Sequence, residues 1–356
     1  MIIKPHLLAL CASLLLPLTA LAGDFSQRED VQAFIRDVAQ RQNFSPAQLQ
    51  AAFDDAQALP KVIELIRPPA NPGVRSWQRY RPRFINNQRI SAGVQFWREH
   101  AQTLAAAEEK TGVPAEIIVG IIGVETVYGR NMGNFSALSA LTTLAFDYPP
   151  RADLFRRELE ALFLLAREQG RDVRDYRGSY AGALGQPQFL PSSIRSFAVD
   201  GDQDGHIDLR ESATDAIFSV GNFLASHGWQ RGARIVLPAQ VDDETQVKPL
   251  IDAGILPALD GKLLRQAGVH SDLSDQASEL VTLVDMVSPG FPTEYWLGFQ
   301  NFYVITRYNR SSFYAMSVHD LGHAVKLEFA ARRDLAQLSK APVPKTSAKK
   351  TSKKAP

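Results

Sequence analysis

A single glutamate, Glu125, lies inside an almost wholly apolar stretch, VGIIGVETVYGR, over residues 119–130. No other acidic residue occurs between Glu116 and Asp147. A helical spacing of 100° per residue puts Glu125 beside Ile122, on the apolar side of its own helix. Because loss of water disfavours the charged form, its pKa should be raised. A carboxyl that stays protonated near neutral pH can act as general acid in the cleavage of a glycosidic bond. A buried structural glutamate, satisfied by an arginine or by backbone amides, is the alternative.

The helix that would position this glutamate has recognisable features of its own. Pro114 fits its first turn. Gly120 and Gly123 lie on its far flank, where another backbone could approach closely. The same spacing predicts one further apolar stripe, formed by Ile117, Ile121, Val124 and Tyr128.

Two further segments carry side chains that suit a sugar ligand. GSYAGALGQPQFLPSS, residues 178–193, is rich in glycine, small residues and amides, so a sugar could come close to its backbone. TRYNRSSFY, residues 306–314, adds aromatic faces beside an amide. An ordinary Gly/Pro/Ser loop, and tyrosines that pack in a core, are the alternatives. The candidate sugar-binding side chains are Ser179, Gln186, Gln188, Tyr308, Asn309 and Tyr314.

An acidic stretch, DGDQDGHIDLRE over residues 200–211, fits the loop pattern of an EF-hand calcium site. The pattern has alternating acids, a glycine at the sharp turn and a glutamate at the twelfth position. Predicted helices flank the loop, and a merely solvated acidic turn is the alternative. The pattern assigns as Ca²⁺ ligands Asp200, Asp202, Asp204, the backbone carbonyl of His206, and Glu211, with Gly205 at the turn.

The N-terminus has the layout of a secretory signal peptide, with one lysine, a short apolar stretch and small residues before Gly23. The apolar stretch is short for a membrane span. Cleavage after residue 22 would remove Cys11, the only cysteine, and with it any disulfide or thiol chemistry. An uncleaved anchor and a lipidated Cys11 are the alternatives, although Leu10 stands where a lipidation site usually has a small residue. We therefore expect a periplasmic protein and disfavour an outer-membrane lipoprotein.

The formal net charge of +1 conceals an uneven distribution. Residues 340–356, KAPVPKTSAKKTSKKAP, carry six lysines and no acid. Residues 23–339 hold 32 of the 39 basic residues and all 38 acidic ones, which leaves this body acidic. The Lys-rich tail is predicted to be disordered, because it has little to bury. It could attract an anionic envelope surface or simply aid solubility. An exported chain with an acidic body disfavours nucleic acid as a partner.

Hydrophobic periodicity suggests the organisation of the rest of the chain. Short amphipathic helices are predicted over residues 26–66, with Ser45 as an N-cap. A Pro-rich segment, 67–84, is predicted to be irregular, and helices dominate from about residue 90 to 226. Short Val/Leu/Ile runs separated by Pro, Gly and Asp then predict small strands and turns to about residue 300, before a return to helix.

Several motifs occur in the order seen in the lytic murein transglycosylase B family. They are SWQRYRPRFINNQRISAGVQFW, GVETVYGRNMGNFSALSALTTLAFDYPPR, GSYAGALGQPQFLPSS, the acidic loop and YVITRYNRSSFYAMSV. The chain resembles this family over about residues 25–335. The resemblance implies a mainly α (α+β) fold, in which a lysozyme-like helical core is flanked by a helical domain and a small β-rich domain. It also implies cleavage of the MurNAc-β-1,4-GlcNAc bond of peptidoglycan, with formation of 1,6-anhydroMurNAc ends.

This resemblance suggests a division of the chain into domains. The expected parts are a signal peptide (1–22), an N-terminal helical domain (23–100), a catalytic core with the EF-hand-like loop (101–228), a β-rich domain (229–300), a C-terminal return to the core (301–339) and the disordered Lys-rich tail (340–356). Glycan strands of peptidoglycan are the expected partner, with cell-wall synthases as further candidates.

The resemblance also carries roles to individual residues. Glu125 stands at the catalytic acid/base of the family. The positions that match groups at the family's glycan cleft are Ser179, Gln188, Tyr308, Asn309 and Tyr314, with Arg151 at its edge. Phe223 stands where a cleft tyrosine is expected, and Pro150 replaces what is often a second arginine. Because the family often closes a longer calcium loop on a later aspartate, Asp215 competes with Glu211, and we favour Asp215.

A single carboxyl is sufficient for the implied reaction. Glycosidases with two carboxylates use the second as nucleophile or base. A transglycosylase instead uses the C6 hydroxyl of the muramoyl residue as an internal nucleophile. Glu125 can therefore protonate the leaving oxygen and then, as a carboxylate, remove the C6 proton. A muramidase that admits water, and a non-catalytic peptidoglycan-binding protein stabilised by calcium, are the alternatives.

Overall fold

The computed structural model describes residues 25–68, 73–274 and 278–338. Within them the protein is mainly helical, with two small antiparallel sheets, so the predicted mainly α (α+β) fold class is confirmed. The predicted signal peptide (1–22) and Lys-rich tail (340–356) lie outside the described residues. No helix of the described part of the chain is both long enough and apolar enough to cross a membrane.

Helices account for most of the chain before the sheet region and for its described C-terminal end. The first seven are α1 (Glu29–Gln42), α2 (Pro46–Asp55), α3 (Pro60–Ile66), α4 (Trp77–Tyr80), α5 (Asn87–Glu99), α6 (Ala101–Thr111) and α7 (Ala115–Thr126). They are followed by α8 (Ala137–Asp147), α9 (Ala152–Glu168), α10 (Pro191–Phe197), α11 (Ala213–Ser226), α12 (Glu244–Asp252), α13 (Gly261–Gln266), α14 (Gln300–Tyr308) and α15 (Ser312–Leu338).

The N-terminal helices form largely as predicted. Helix α2 begins directly after Ser45, with proline at its first position, as the sequence indicated. The prediction that the whole of residues 67–84 is irregular was wrong, because α4 forms inside this segment. The side chain of Ser76 caps α4 by accepting a hydrogen bond from the backbone N–H of Arg79, at 3.4 Å. A helix of four residues is too short to give a periodic hydrophobic signal.

Helices α1 and α2 pack against α8 and α9 through phenylalanine rings. The ring centroid of Phe53 lies 6.1 Å from that of Phe146 and 5.8 Å from that of Phe163. Phe34 lies 5.8 Å from Phe146, edge to face. Such edge-to-face pairs add to the stability gained from burial of their area. As a result, one continuous apolar core joins the N-terminal helices to the helices that surround α7.

Helix α7, which carries Glu125, lies at the centre of this core. Ten of its twelve residues are buried, so it is apolar on nearly every side. Helix α15 crosses it so closely that a Cβ atom at Gly120 would clash with the carbonyl oxygen of Val318. A Cβ atom at Gly322 would likewise clash with the carbonyl oxygen of Glu116. The close backbone approach predicted at Gly120 is therefore confirmed.

The predicted apolar stripe on α7 was wrong in its last member, Tyr128. The helix ends at Thr126, and the left-handed backbone that follows includes Val127 (φ 53°) and Tyr128 (φ 58°). The chain thereby turns back and places the Tyr128 hydroxyl against Gly123, the second flanking glycine. The periodicity does not reveal this end, because the helix stops at non-glycine residues.

A separate module follows the helical core. It contains a four-stranded antiparallel sheet in the order β4-β3-β6-β5, with an apolar core of its own around Leu283 and Leu297, which face each other across β5 and β6. Helices α12 and α13, which begin after the capping residues Asp243 and Asp260, were not predicted. The strands are β1 (Phe135–Ser136), β2 (Arg177–Gly178), β3 (Val236–Val241), β4 (Val269–His270), β5 (Thr282–Met286) and β6 (Glu294–Gly298), of which β1 and β2 form a separate pair.

Candidate active site

Glu125 is the penultimate residue of α7, and its carboxyl meets the first turn of α15. The phenolic hydroxyl of Tyr314 donates a hydrogen bond of 2.6 Å to Oε1 of Glu125. Burial raises the pKa of Glu125 to about 7, whereas the bond from Tyr314 lowers it. The apolar setting thus raises the pKa of Glu125, as the sequence suggested. The carboxyl is therefore partly protonated at neutral pH.

No other group in the described part of the chain forms a hydrogen bond to this carboxyl. Among the described residues, neither an arginine, a lysine nor a backbone N–H binds Glu125, and no second carboxylate influences its pKa. A buried glutamate that serves only as a structural ion would need such a partner, because an unpaired buried charge is costly. The arrangement is therefore that of a carboxyl held ready to exchange a proton.

Three tyrosines interact electrostatically with Glu125, and Tyr314 also donates a hydrogen bond to it. Tyr80 comes from α4, Tyr308 from the last turn of α14 and Tyr314 from the first turn of α15. Burial raises the pKa of each phenol, and the nearby charge of Glu125 raises it further. The rings of Tyr308 and Tyr314 are nearly parallel, with centroids 6.3 Å apart. The structure therefore brings together Glu125, Tyr308 and Tyr314, three of the residues singled out in the sequence.

Tyr80 was not identified as a site residue from the sequence. Its ring lies 5.5 Å from that of Phe313 and 5.1 Å from that of Phe84. The backbone N–H of Trp77 donates a 2.7 Å hydrogen bond to the carbonyl of Val287, which attaches α4 to the segment after β5. The only available signal was the resemblance of SWQRYRPRF to a family segment, and that signal does not single out the tyrosine.

The loop over residues 178–193 braces the end of α7. The Thr126 hydroxyl donates to the carbonyl of Gln186 at 2.8 Å and accepts from the backbone N–H of Gly129 at 3.0 Å. The side chain of Gln186 is buried and donates to the carbonyl of Arg210, so it supports the loop. Because Thr126 follows Glu125 directly, these bonds fix the backbone that carries the carboxyl.

Gln188 and Ser179 lie in the same loop and have partners there. The amide nitrogen of Gln188 donates to the carbonyls of Met132 and Gly185, at 3.2 and 3.0 Å. The Ser179 hydroxyl oxygen accepts from the backbone N–H of Ala183 at 3.1 Å. Within the described residues, the amide oxygen of Gln188 and the hydroxyl proton of Ser179 have no hydrogen-bond partner.

The other predicted cleft residues differ in their surroundings. Asn309 is exposed after α14, and its side chain makes no hydrogen bond to any described residue. Tyr308 donates to the carbonyl of Pro187 at 2.5 Å, and the Phe223 ring packs 4.8 Å from the Tyr308 ring. Arg151 is exposed, and its guanidinium lies 5.2 Å from the ring of Phe155. Within the described residues, it makes no contact with Glu125.

Three aspartates of the acidic loop bring their carboxylates together. One carboxylate oxygen from each of Asp200, Asp202 and Asp204 lies within 4.8 Å of the others. Asp200 accepts hydrogen bonds from the backbone N–H groups of Asp204 and Gly205, at 3.2 and 2.9 Å, and Gly205 makes the turn at φ 90°. Converging carboxylates are oxygen donors of the kind that suits a hard cation such as Ca²⁺.

The two candidates for the closing ligand differ in position. Asp215 is buried, and both of its carboxylate oxygens accept backbone N–H groups of the loop, from Gly201 at 2.8 Å and from Asp208 at 2.7 Å. Burial raises the pKa of Asp215, and the charges of Asp202 and Asp200 raise it further. The side chain of Glu211 is 78% exposed and lies 3.6 Å from Arg210. His206 is exposed beside the cluster.

Comparison with known proteins supplies the class of protein. The family described as "Transglycosylase SLT domain" matches residues 26–323. The membrane-bound lytic murein transglycosylase B of Escherichia coli (strain K12) is 39% identical over 325 residues, which cover 86% of this chain and 85% of that protein. The chain therefore belongs to the transglycosylase SLT family, and it is a lytic transglycosylase, as the order of its motifs predicted.

Solved structures agree with this assignment. The soluble lytic transglycosylase SltB1 from Pseudomonas aeruginosa is 45% identical, with a TM-score of 0.79, over 86% of this chain and 99% of that one. The Escherichia coli lytic transglycosylase Slt35 in complex with calcium is 39% identical, with a TM-score of 0.78, over 87% of this chain and 96% of that one. SltB3 from Pseudomonas aeruginosa in complex with NAG-anhNAM-pentapeptide is 26% identical, with a TM-score of 0.72, over 84% of this chain and 79% of that one.

Proposed function

We propose that this lytic transglycosylase cleaves the MurNAc-β-1,4-GlcNAc bond of peptidoglycan and leaves 1,6-anhydroMurNAc ends, with Glu125 as its only catalytic carboxyl. The observation that carries this proposal is the isolation of Glu125: its side chain is half-buried, its carboxyl has a pKa of about 7, and among the described residues only Tyr314 forms a hydrogen bond to it. A group with a pKa near the working pH can both give and take a proton efficiently.

The reaction proceeds in two proton transfers at the same carboxyl. Protonated Glu125 donates its proton to the glycosidic oxygen as the bond from C1 to that oxygen breaks, and GlcNAc leaves as an alcohol. The N-acetyl oxygen of the substrate stabilises the anomeric carbon. The C6 hydroxyl then attacks C1, and the Glu125 carboxylate takes its proton, which restores the acid. Tyr314 stabilises the carboxylate between the two steps, because its O–H favours the charged form.

The glycan strand would lie against the tyrosines and the 178–193 loop. Aromatic faces and amide or hydroxyl groups are suited to the apolar faces and hydroxyls of sugars. Arg151, at the surface, would contact the substrate only at the edge of the cleft. The proposed contacts to the glycan are those of Ser179, Gln188, Tyr308, Asn309 and Tyr314.

We also propose a structural calcium ion in the acidic loop. Asp200, Asp202, Asp204 and the backbone carbonyl of His206 would bind it, with Asp215 favoured over Glu211 as the closing ligand. The burial of Asp215 and its electrostatic coupling to Asp200 and Asp202 support this choice. Bound calcium would offset the repulsion among the acids and hold the loop between α10 and α11.

The proposed location is the periplasm, where peptidoglycan is accessible to an exported enzyme. The relatives bear the names of membrane-bound and soluble lytic transglycosylases, and calcium and a peptidoglycan fragment are bound in two of their structures. Attraction of the Lys-rich tail (340–356) to an anionic envelope surface, and binding of cell-wall synthases, are further proposals. The division of the chain into domains, which the family resemblance implies, is a further proposal.

Mass spectrometry of the fragments released from purified peptidoglycan tests this function. Transglycosylation gives anhydro ends, which are lighter by one water than the reducing ends that hydrolysis gives. Anhydro ends alone support the proposal. Reducing ends would identify a muramidase, and the absence of released fragments would identify a binding protein.

A further inference from the structure

Two histidines lie one helical turn apart on α15. His319 and His323 belong to the segment HDLGH, residues 319–323, and no other two of the seven histidines in the chain have this spacing. Their imidazole rings are parallel to within 1°, and the ring centroids lie 6.2 Å apart. Side chains four residues apart on a helix share one face, so one ion can reach both rings. The same spacing on a helix supplies two zinc ligands in the HExxH motif.

An aspartate holds the ring of His319 in one orientation. Nδ1–H of His319 donates a hydrogen bond to Oδ1 of Asp320 at 3.2 Å. Nε–H of Arg81 donates to the other oxygen, Oδ2, at 3.0 Å, and the positive charge of Arg81 keeps Asp320 ionised and therefore only an acceptor. Because Nδ1 carries the proton, Nε2 of His319 has the lone pair that a metal ion requires. Histidines that bind metals are commonly oriented by a carboxylate in this way.

The second ring, that of His323, is free to adjust its position. His323 is exposed, and it forms no hydrogen bond or ion pair with any residue in the part of the chain that the structure describes. Two imidazole nitrogens on one tetrahedral ion lie about 3.3 Å apart, because each metal–nitrogen bond is about 2.0 Å long. The rings must therefore tilt towards each other from their parallel arrangement. Movement of His323 alone achieves this and leaves the bond between His319 and Asp320 intact.

We propose that His319 and His323 bind one divalent transition-metal ion at the surface of α15, with Asp320 as the residue that orients His319. Imidazole nitrogen suits Cu²⁺, Ni²⁺ and Zn²⁺, whereas Ca²⁺ and Mg²⁺ require oxygen ligands. Water completes the coordination, so the ion is exchangeable and is held less tightly than in a closed site with four protein ligands. The site uses no residue of the acidic loop and none that acts in the proposed reaction.

Metal titration of the untagged full-length protein tests this proposal. Cu²⁺, Ni²⁺ and Zn²⁺ are titrated in competition with a chromogenic chelator, in excess Ca²⁺ so that the acidic loop does not compete. The variants are His319→Gln and His323→Gln. His270→Gln is the matched control, since His270 is also exposed and bonded to an aspartate, Asp242, at 2.8 Å, but has no histidine four residues away. We expect Cu²⁺ to bind most tightly, each variant to lose affinity at least about tenfold, and the control to match wild type.

Electron paramagnetic resonance of bound Cu²⁺ counts the nitrogen ligands and separates the three roles. Wild type should show two coordinated imidazoles, and His319→Gln and His323→Gln should each show one. Asp320→Asn should keep both imidazoles but bind about tenfold more weakly, because it loses only the orienting carboxylate. Melts without metal confirm that the variants are folded.

Unchanged affinity in both histidine variants would overturn the site. Loss of affinity in only one of them would also overturn it, because that is the behaviour of a single histidine that binds alone. Affinity of Asp320→Asn equal to that of wild type would contradict the orienting role.

Discussion

The Tyr314 hydroxyl lies 2.6 Å from Oε1 of Glu125 and donates the one hydrogen bond that this carboxyl receives from the described residues. Burial and this bond act on the carboxyl in opposite directions. Burial raises its pKa to about 7, and the bond lowers it because it favours the ionised form. The proposed reaction needs the acid first and the carboxylate second, so both effects contribute to it.

Replacement of Tyr314 by phenylalanine removes the bond and keeps the ring. The pKa of Glu125 should then rise further, since the ionised form loses its donor. In the wild type, kcat/KM should fall as pH rises through about 7, the pKa of Glu125. In Tyr314→Phe we expect this alkaline limb to move up by about one pH unit, in line with the loss of a charge-assisted bond.

Tyr176→Phe is the matched control, because it also deletes a phenol that donates a 2.6 Å hydrogen bond, to Gln169, but contributes nothing to the Glu125 pKa. Its alkaline limb should coincide with that of the wild type. A limb in Tyr314→Phe that stays in place, or moves to lower pH, would show that this bond does not set the pKa of the catalytic acid.

A raised pKa also makes the stability of the fold depend on pH. The Glu125 pKa is about 7 in the folded state, against 4.5 for a free glutamate. Protonated Glu125 therefore makes a contribution to the free energy of unfolding that is fully present below about pH 4.5. This contribution is lost as pH rises through about 7, where the folded protein must ionise the carboxyl. Glu125→Gln should therefore be more stable than wild type at pH 8, by about 2–3 kcal/mol, and no more stable at pH 4.

Urea denaturation at the two pH values measures this difference. Glu109→Gln serves as the control, since Glu109 is exposed on α6, and it should behave like wild type at both pH values. An equal difference at pH 4 and pH 8 would mean that the stability change does not come from ionisation of Glu125.

Calcium should stabilise the fold without taking part in the reaction. A ligand that binds only the folded state at a hundredfold excess over its Kd adds about 2.7 kcal/mol. Removal of calcium by a chelator should lower the melting temperature, and calcium should restore it better than magnesium, which prefers smaller, strictly octahedral sites. Asp215→Asn should abolish this response, and Glu211→Gln should keep it. Asp215→Asn is preferred to alanine, because Asp215 also accepts two backbone hydrogen bonds.

The calcium prediction fails in two distinguishable ways. A melting temperature that does not respond to the chelator in the wild type would argue against a site in the acidic loop. A response that is lost in Glu211→Gln and kept in Asp215→Asn would show that the loop closes at its twelfth position instead.

The crossing of α7 and α15 should not tolerate a side chain. In Gly120→Ala the new Cβ would clash with the carbonyl oxygen of Val318, so the two backbones must separate. We expect a loss of about 1–3 kcal/mol in unfolding free energy, measured by thermal or urea denaturation, with reduced activity because Glu125 shifts relative to Tyr314. Gly73→Ala is the control, since a Cβ at Gly73 meets no atom within 4 Å. Equal stability of the two variants would contradict the close crossing.

Features set by neighbouring residues in the chain could be predicted from the sequence. The 100° spacing of α7 placed Glu125 among apolar residues and Gly120 at a helix crossing, because both follow from helix geometry alone. The acidic loop was recognisable for the same reason: its turn at Gly205 and its three converging aspartates depend on positions within a few residues.

Features set by tertiary packing could not be predicted in this way. Tyr80 approaches Glu125 only because α4 is held against the sheet module by Trp77 and packs on Phe313. The Tyr314–Glu125 hydrogen bond joins two helices far apart in sequence. The segment TRYNRSSFY indicated Tyr314 as a candidate sugar-binding residue, but no local pattern pairs it with Glu125. The reversal of the chain at Tyr128 depends on left-handed residues whose types give no local warning.

The central claim is that one carboxyl does all the proton transfer, and the activity of Glu125→Gln tests it most directly. Glutamine keeps the shape of the side chain but can neither give nor accept the proton. In a turbidity assay on purified peptidoglycan, with folding confirmed by the melt, we expect turnover to fall by on the order of two to four decades, while Glu109→Gln retains wild-type activity. A folded Glu125→Gln protein that keeps more than about a tenth of wild-type turnover would contradict the account.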